Sequence, residues 1–360
     1  MANNNPPRNI DLDKIPLQPQ RWKYVLSLIL ARFNWRHAVK DKGVSFDTME
    51  DRRQFLFRVF ETLLHNPIKT FKLDPRSLSG RHVDVLMTLW RQRAEAGELS
   101  ASSLQKNHSI LRTFTAWIGH PNLVKPLSAY FDDAGLYKRG YVAKVSKAPR
   151  ARGVDVDKLI LKVEARDVRA GAATRLIAAF GLRFKEGVMC RPHADVVTAA
   201  QAGKPEGETG MYLHVHRGAK GGRGRYVPID TPERQRAVDF ARLIAKDENE
   251  SVSDPRLTLT QAIRHLRYVL ECCGMTKADL KVTPHGFRHQ YAADEYEGVT
   301  GLRPPVEGGA APDKATDAAA RQDVSMRLGH GRPAISNAYL GSRASALPRS
   351  KPSSSDPDVG

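Results

Sequence analysis

Four side chains in the C-terminal third of the chain have types and a spacing that suit chemistry on a phosphate. His285 and Arg288 are three residues apart, so on a helix they would lie on the same face. His330 precedes Tyr339 by nine residues, and a glycine and a proline between them predict a turn. An arginine and histidines can bind a phosphate, a histidine can move a proton, and a tyrosine can attack phosphorus. No cysteine or carboxylate belongs to this set, which disfavours a metal site.

Longer motifs surround these residues and continue upstream. They are Pro284-His285-Gly286-Phe287-Arg288, Leu328-Gly329-His330, Phe180-Gly181-Leu182-Arg183-Phe184-Lys185-Glu186 and Arg217-Gly218-Ala219-Lys220-Gly221-Gly222, followed by Tyr339. Taken together and in this order, they resemble the catalytic signature of the tyrosine recombinase (phage integrase) family. The resemblance covers about residues 155–345 and is vaguer before them.

The resemblance implies a catalytic role for each matched residue. Tyr339 would be the nucleophile that forms a 3′-phosphotyrosyl link and frees a 5′-hydroxyl. Arg183 and Arg288 would hold the non-bridging oxygens of the scissile phosphate, for which the planar guanidinium is suited. Lys220 would protonate the leaving 5′-oxygen. The two histidines, His285 and His330, would hydrogen-bond the phosphate and share the proton transfers.

Each of these residues also has a plain structural interpretation. Tyr339 alone reads as a packed helix tyrosine, and a lone histidine is most often a core residue. Arg183 could form an ion pair with Glu186, three residues on, and the carboxylate would then orient the guanidinium. Lys220 lies in a glycine-rich turn among other cations, so its selection rests on the resemblance.

The charge of the chain favours a polyanionic partner. Its 360 residues carry 57 Lys and Arg against 39 Asp and Glu, a net charge of +18. A merely solubilising basic surface is the alternative. The apolar runs are too short to span a membrane, and no signal-peptide core is evident. Three cysteines without a CxxC pair favour a reducing cytoplasm, where DNA binding would associate the protein with the nucleoid.

The residue patterns predict a mainly α fold with a small antiparallel β-sheet. Residues 1–19 read as a flexible tail, and residues 20–140 as a helical bundle that would be the core DNA-binding domain. A helix after Ser45, one from Ser79 to Ala96, and one from Ser100 or Ser102 follow from capping residues and apolar spacing. The aromatic residues of this bundle are expected in its core.

A basic linker is predicted at residues 141–154, before an α+β catalytic domain at 155–347 and a disordered tail at 348–360. The sheet is expected at 194–197, 211–216 and 225–229, with the last two segments forming a hairpin. The cations expected to contact DNA lie in the linker and the hairpin: Lys144, Lys147, Arg150, Arg152, Arg217, Arg223 and Arg225.

Two features depart from the family pattern. The spacing between Arg288 and His330 is longer than usual, and the extra length falls at 298–319, which is rich in Gly, Pro and Ala. We expect a mobile surface excursion outside the active site, whose removal would have little effect on cleavage. The Ser- and Pro-rich C-terminus also lacks an apolar helix that could dock on a neighbouring subunit.

The resemblance implies a site-specific DNA recombinase that integrates or excises a mobile element. It would act without a cofactor or metal, as a homo-tetramer on double-stranded recombination sites, with accessory DNA-bending proteins as further partners. A type IB topoisomerase-like enzyme and a catalytically silent DNA-binding regulator are the alternatives. The separate helical domain argues against a topoisomerase-like enzyme, and the complete set of catalytic positions argues against a silent regulator.

Overall fold

A computed structural model describes residues 11–65 and 72–346 of the chain. The chain folds as two units, Met1–Gly140 and Tyr141–Gly360. Residues 141–154, the predicted linker, are therefore part of the second unit. The predicted tail at 348–360 lies outside the described residues.

The first unit is helical. Its helices are α1 (Trp22–Phe33), α2 (Phe46–Leu64), α3 (Gly80–Glu95), α4 (Ala101–Trp117) and α5 (Ala134–Tyr137). Ser45 and Ser100 each accept a backbone N–H of the first turn that follows, which explains why α2 and α4 begin there. Phe60 and Phe114 are buried and meet edge to face at 5.5 Å, so the aromatic residues form the core, as the sequence predicts.

The tail predicted at residues 1–19 is partly wrong. Residues 1–10 lie outside the described part, but Leu12 is buried in the core of the first unit. The guanidinium of Arg76 donates to the carbonyls of Leu12, Ile15 and Pro16 at 2.8, 2.7 and 2.9 Å. An arginine 60 to 64 positions away therefore fixes this segment, and local composition carries no sign of that contact.

The second unit combines helices with one small sheet. Its helices are α6 (Val156–Arg166), α7 (Val168–Phe180), α8 (Phe184–Met189), α9 (Pro232–Ile244), α10 (Leu259–Cys272), α11 (Pro284–Thr300), α12 (Lys314–Arg327) and α13 (Asn337–Leu340). The strands β1 (Val196–Thr198), β2 (Met211–Val215) and β3 (Arg225–Pro228) lie between α8 and α9 in the chain. They form one antiparallel sheet in the order β1-β2-β3. The mainly α fold class with its hairpin is therefore confirmed.

Helix α7 runs through the core of this unit because its residues are small. Ala172, Ala173 and Ile177 are buried along it. Gly171 allows close approach to α6, since a Cβ there would lie 2.9 Å from the Cα of Glu164. The helix places its C-terminal end, at Phe180, beside the residues of the candidate site.

The expected surface excursion at 298–319 is wrong. Its first residues complete α11 and its last residues begin α12, so the connection itself is residues 301–313, which we call the strap. The strap contains a 3-10 turn at Pro305–Glu307, and Pro304 and Pro305 are buried. Proline and glycine here form a compact, packed turn, although the same composition is typical of mobile loops.

Candidate active site

Arg288 is the centre of the candidate site. Its side chain is completely buried on α11. Its Nε donates to the hydroxyl of Tyr339 at 3.3 Å, and one terminal nitrogen lies 3.3 Å from Nε2 of His330. The guanidinium also donates to the carbonyls of Gly181 and Leu328. Arg288 thus joins the ends of α7 and α12 to the helix that carries the tyrosine.

Gly181 is required where it stands. It ends α7 with φ 57°, and a Cβ would lie 2.4 Å from the ring of Tyr291. The left-handed turn directs the Gly181 carbonyl to Arg288 and is followed two residues later by Arg183, the N-cap of α8. The short sequence between the two helices therefore positions both arginines.

Tyr339 lies on the short helix α13 and is 8% exposed. Its ring stacks on His330 with centroids 5.5 Å apart and lies 4.7 Å from the ring of His289. The ring of His285 is 6.0 Å away. The turn predicted between His330 and Tyr339 is present as a 3-10 turn at Pro333–Ser336. The site therefore brings together His285, Arg288, His330 and Tyr339.

The histidines are held neutral. Burial, followed by the charge of Arg288, lowers the pKa of His285 and of His330 to about 4. The same burial and the neighbouring His285 lower the pKa of His289 to about 3. Near neutral pH each ring therefore has a nitrogen that can accept a proton, and the buried Nδ1 atoms of His289 and His330 have no protein partner among the described residues.

Arg183 is held by Glu186, as one sequence interpretation predicts. Its guanidinium donates to the carboxylate at 2.6 Å, and its backbone N–H donates to the other oxygen at 2.7 Å. Arg225 adds two bonds to the same buried carboxylate, at 3.0 and 2.9 Å. Burial alone would raise the pKa of Glu186, but the hydrogen bonds and charges of Arg225 and Arg183 outweigh it and lower that pKa to about 2. The carboxylate is therefore ionised at every working pH.

The hairpin residues differ in what they offer to a ligand. Arg225 is buried, and its third contact is the carbonyl of Arg327 at 2.7 Å, so it is a structural residue and the expectation of DNA contact does not fit it. Arg217 is bound by the buried Asp195 at 3.1 Å. Lys220 and Arg223 are exposed at the hairpin tip, and a Cβ on Gly331 would lie 2.9 Å from Arg223. Arg223 therefore lies beside the turn that carries His330, whereas among the described residues Lys220 forms no hydrogen bond or ion pair with a member of the site.

The predicted linker cations also separate into two kinds. Lys144, Lys147 and Arg152 are exposed, and Lys147 is near enough to lower the pKa of His285 and His289. Arg150, in contrast, is bound by three carboxylates on α11 and the strap. The expectation that Arg150 contacts DNA does not fit these ion pairs.

Three residues near the site were not predicted from the sequence. The ring of His289 lies against that of Tyr339. Arg321 on α12 donates to Asn337 Oδ1 at 2.8 Å and to the Gly341 carbonyl at 3.0 Å, so it holds both ends of α13. Glu307 of the strap binds Arg150. These contacts join residues far apart in the chain, and no spacing in the sequence signals them.

One part of the chain matches a family of known proteins. Residues 138–294 match the family model described as integrase. This match includes Arg183, Lys220, His285 and Arg288, and it agrees with the resemblance of the sequence to the tyrosine recombinase (phage integrase) family. Comparison with curated protein sequences gives no match.

Solved structures show the same fold at low sequence identity. A lambda integrase tetramer bound to a Holliday junction is 14% identical, with a TM-score of 0.54 over 90% of this chain and 79% of that one. A lambda integrase (75–356) dimer bound to a COC′ core site is also 14% identical, with a TM-score of 0.54 over 90% of this chain and 98% of that one. The fold likeness therefore extends well beyond the residues that match the family model.

The described residues, 11–65 and 72–346, include no group of three or more His, Cys, Asp and Glu side chains that could hold a metal ion. In the same ranges no helix has the length and apolar character needed to cross a membrane.

Proposed function

We propose that this protein cleaves and rejoins double-stranded DNA at specific sites through a 3′-phosphotyrosyl intermediate, and so integrates or excises a mobile element. The observation that carries the proposal is the environment of Tyr339. Its hydroxyl lies 3.3 Å from Nε of the buried Arg288, and its ring stacks on the neutral ring of His330. A nucleophile, a fixed cation and a proton acceptor thus share one site, as transfer of a phosphoryl group requires.

In the proposed reaction the Tyr339 oxygen bonds to phosphorus and the bond to the 5′-oxygen breaks. The phenol proton passes to a neutral imidazole of His285 or His330. Arg183 and Arg288 stabilise the charge that develops on the non-bridging oxygens, where one preorganised donor can contribute about 3–4 kcal/mol. Lys220, on the glycine-rich hairpin, donates a proton to the leaving oxygen once DNA is bound. Rejoining is the same chemistry in reverse and needs no ATP.

The partner proposed is double-stranded DNA, supported by the net charge of +18 and by exposed cations at Lys144, Lys147, Arg152 and Arg223. Lambda integrase is seen as a tetramer on a Holliday junction, and we propose the same assembly for this chain. No cofactor or metal takes part in this scheme.

The test is covalent trapping on a nicked duplex that carries the DNA sequence flanking the gene. We expect the wild-type protein to form a covalent complex, and Tyr339→Phe to lose it while binding the same DNA, because only the nucleophilic oxygen is removed. Tyr268→Phe is the matched control, since Tyr268 is an exposed tyrosine on α10. Covalent complex in purified Tyr339→Phe would exclude Tyr339 as the nucleophile.

Two outcomes separate the alternatives. A catalytically silent regulator would bind the duplex without any trapped product. A topoisomerase-like enzyme would relax supercoiled DNA but would not transfer strands between two duplexes, whereas a recombinase joins strands of different duplexes.

A further inference from the structure

The strap, residues 301–313, contacts two other parts of the second unit. One is the helix that carries Tyr339. A Cβ on Gly341, directly after α13, would lie 3.0 Å from the backbone nitrogen of Val306, so the two backbones pack closely together. Gly341 has φ 75°, which directs the chain away from α13 at this contact. The 3-10 turn of the strap therefore lies against the end of the nucleophile helix.

The second contact is with residues 146–150 of the linker segment. The carboxylate of Glu307 accepts from the hydroxyl of Ser146 at 2.9 Å and from Nε of Arg150 at 2.9 Å. The Glu307 side chain is 7% exposed, and Ser146 is buried. A buried carboxylate needs such partners, so these two bonds fix the strap to the linker segment.

Arg150 is bound from a second side by α11. Its guanidinium lies 2.8 Å from Asp294 and 2.8 Å from Glu297, and its backbone N–H donates to Gln290 at 3.0 Å. Burial would lower the pKa of Arg150, but the hydrogen bond and charge of Glu307, with the charges of both other acids, raise it. One cation therefore holds three carboxylates together.

The linker segment in turn reaches the nucleophile helix directly. The backbone N–H of Ala143 donates to the carbonyl of Asn337, the first residue of α13, at 2.9 Å. Strap, linker segment and α13 thus contact one another pairwise: Glu307 to Ser146 and Arg150, Val306 to Gly341, and Ala143 to Asn337. This closed arrangement links the segment that leads in from the first unit to the residue that would attack DNA.

We propose that Glu307 is a positioning residue, and that the strap sets the position of Tyr339 by fastening α13 to the linker segment. The proposal rests on the proposed function of Tyr339, but its structural part can be measured without DNA.

The first experiment is hydrogen–deuterium exchange on the full-length, DNA-free protein. We expect Glu307→Gln to speed exchange roughly tenfold or more in peptides spanning 141–150 and 336–345, because it removes the charge from buried hydrogen bonds to Arg150 and Ser146. Exchange in α9 should stay unchanged. Glu271→Gln, an exposed glutamate on α10, is the control. Unchanged exchange at 336–345 would overturn the proposal, and so would an equal increase throughout the second unit.

Two further variants separate the contacts. Gly341→Ala keeps every charge and would place a Cβ 3.0 Å from the backbone nitrogen of Val306, so we expect faster exchange at 336–345 with little change at 141–150. Arg150→Met combined with Glu307→Gln should speed exchange by less than the sum of the two single effects, because the two side chains bind each other. Strictly additive effects would mean that the Arg150–Glu307 pair does not fasten the strap.

The final measurement uses the nicked duplex. We expect Glu307→Gln to lower the rate of covalent trapping at saturating DNA by about tenfold while the Kd for DNA changes less than twofold, because it displaces the nucleophile and removes no phosphate contact. A loss in Kd alone would contradict a positioning role. If the wild-type protein traps no DNA, the proposed function fails, while the exchange results still decide whether the strap holds α13.

Discussion

Replacing Glu186 by glutamine tests the electrostatic reasoning most directly. The carboxylate accepts four hydrogen bonds, two from Arg183 and two from Arg225, at 2.6 to 3.0 Å. The amide of the substituted side chain would keep one acceptor oxygen and would turn an NH₂ group toward guanidinium donors. Arg225, with a side chain 4% exposed, would lose its counter-charge.

The loss of stability expected for Glu186→Gln can be calculated in two ways. Removing one partner of a buried ion pair costs about 3–5 kcal/mol. Independently, a fall in the pKa of Glu186 from 4.5 to about 2 corresponds to about 3 kcal/mol of stability. Because the pKa is lowered on folding, this stability is present above pH 4.5 and is lost as the pH falls toward 2.

The assay is urea unfolding of the wild-type protein and Glu186→Gln between pH 7 and pH 3. We expect a difference of about 3 kcal/mol in the free energy of unfolding at pH 7, shrinking below pH 4.5. Trapping on the nicked duplex should also fall, by up to about 10²-fold, because Arg183 loses its orientation. Glu233→Gln, at an exposed ion pair on α9, should cost under about 0.5 kcal/mol. A loss below about 1 kcal/mol for Glu186→Gln, or a difference independent of pH, would refute the reasoning.

Two other perturbations have expected outcomes. The affinity for DNA should drop by about 10³ or more between 50 and 200 mM salt. Lys147→Ala should reduce the slope of log K against log salt by about 1, while Arg150→Met should leave it unchanged because three carboxylates already neutralise Arg150. An affinity of the wild-type protein that does not depend on salt would mean that the charge only keeps the protein soluble. The free energy of unfolding should also fall as the pH drops from 6.5 to 4, because in the unfolded chain His285, His289 and His330 bind protons that they do not bind in the folded protein. In thermal melts, His289→Phe should lose less stability over this pH range than the wild-type protein. An equal loss in both proteins would contradict the low pKa of His289.

The parts of the fold that the sequence predicts are those with short-range causes. Ser45 and Ser100 mark the starts of α2 and α4 because a hydroxyl can accept an orphan N–H only within the first turn. The hairpin follows from alternating residues around a glycine-rich turn. The ion pair of Arg183 and Glu186 follows from a spacing of three residues. In each case the partners lie within a few residues of each other.

The features that the sequence does not predict depend on partners far apart in the chain. Arg225 was expected on DNA, but its carboxylate partner lies 39 residues upstream. Arg150 was expected there too, and it binds Glu307, which is 157 residues away. A count of basic residues cannot distinguish a free cation from a paired one. The same limit explains why the strap was expected to be a mobile loop. Its Gly and Pro content is typical of such loops, and the sequence does not indicate that Glu307 binds the distant Ser146 and Arg150.

Arg183 and Arg288, the two arginines proposed to bind the phosphate, differ in how many of their donors already have partners. Arg288 already donates to Tyr339, to two backbone carbonyls and toward His330, so most of its donors are in use. Arg183 is 25% exposed, and apart from its bond to Glu186 its guanidinium has no protein partner among the described residues. An arriving phosphate would therefore meet Arg183 first. Its contact with Arg288 requires that the hydrogen bond from Nε to the Tyr339 hydroxyl be shared or released. Since that bond holds the proposed nucleophile, phosphate binding and release of Tyr339 for attack would then be one event.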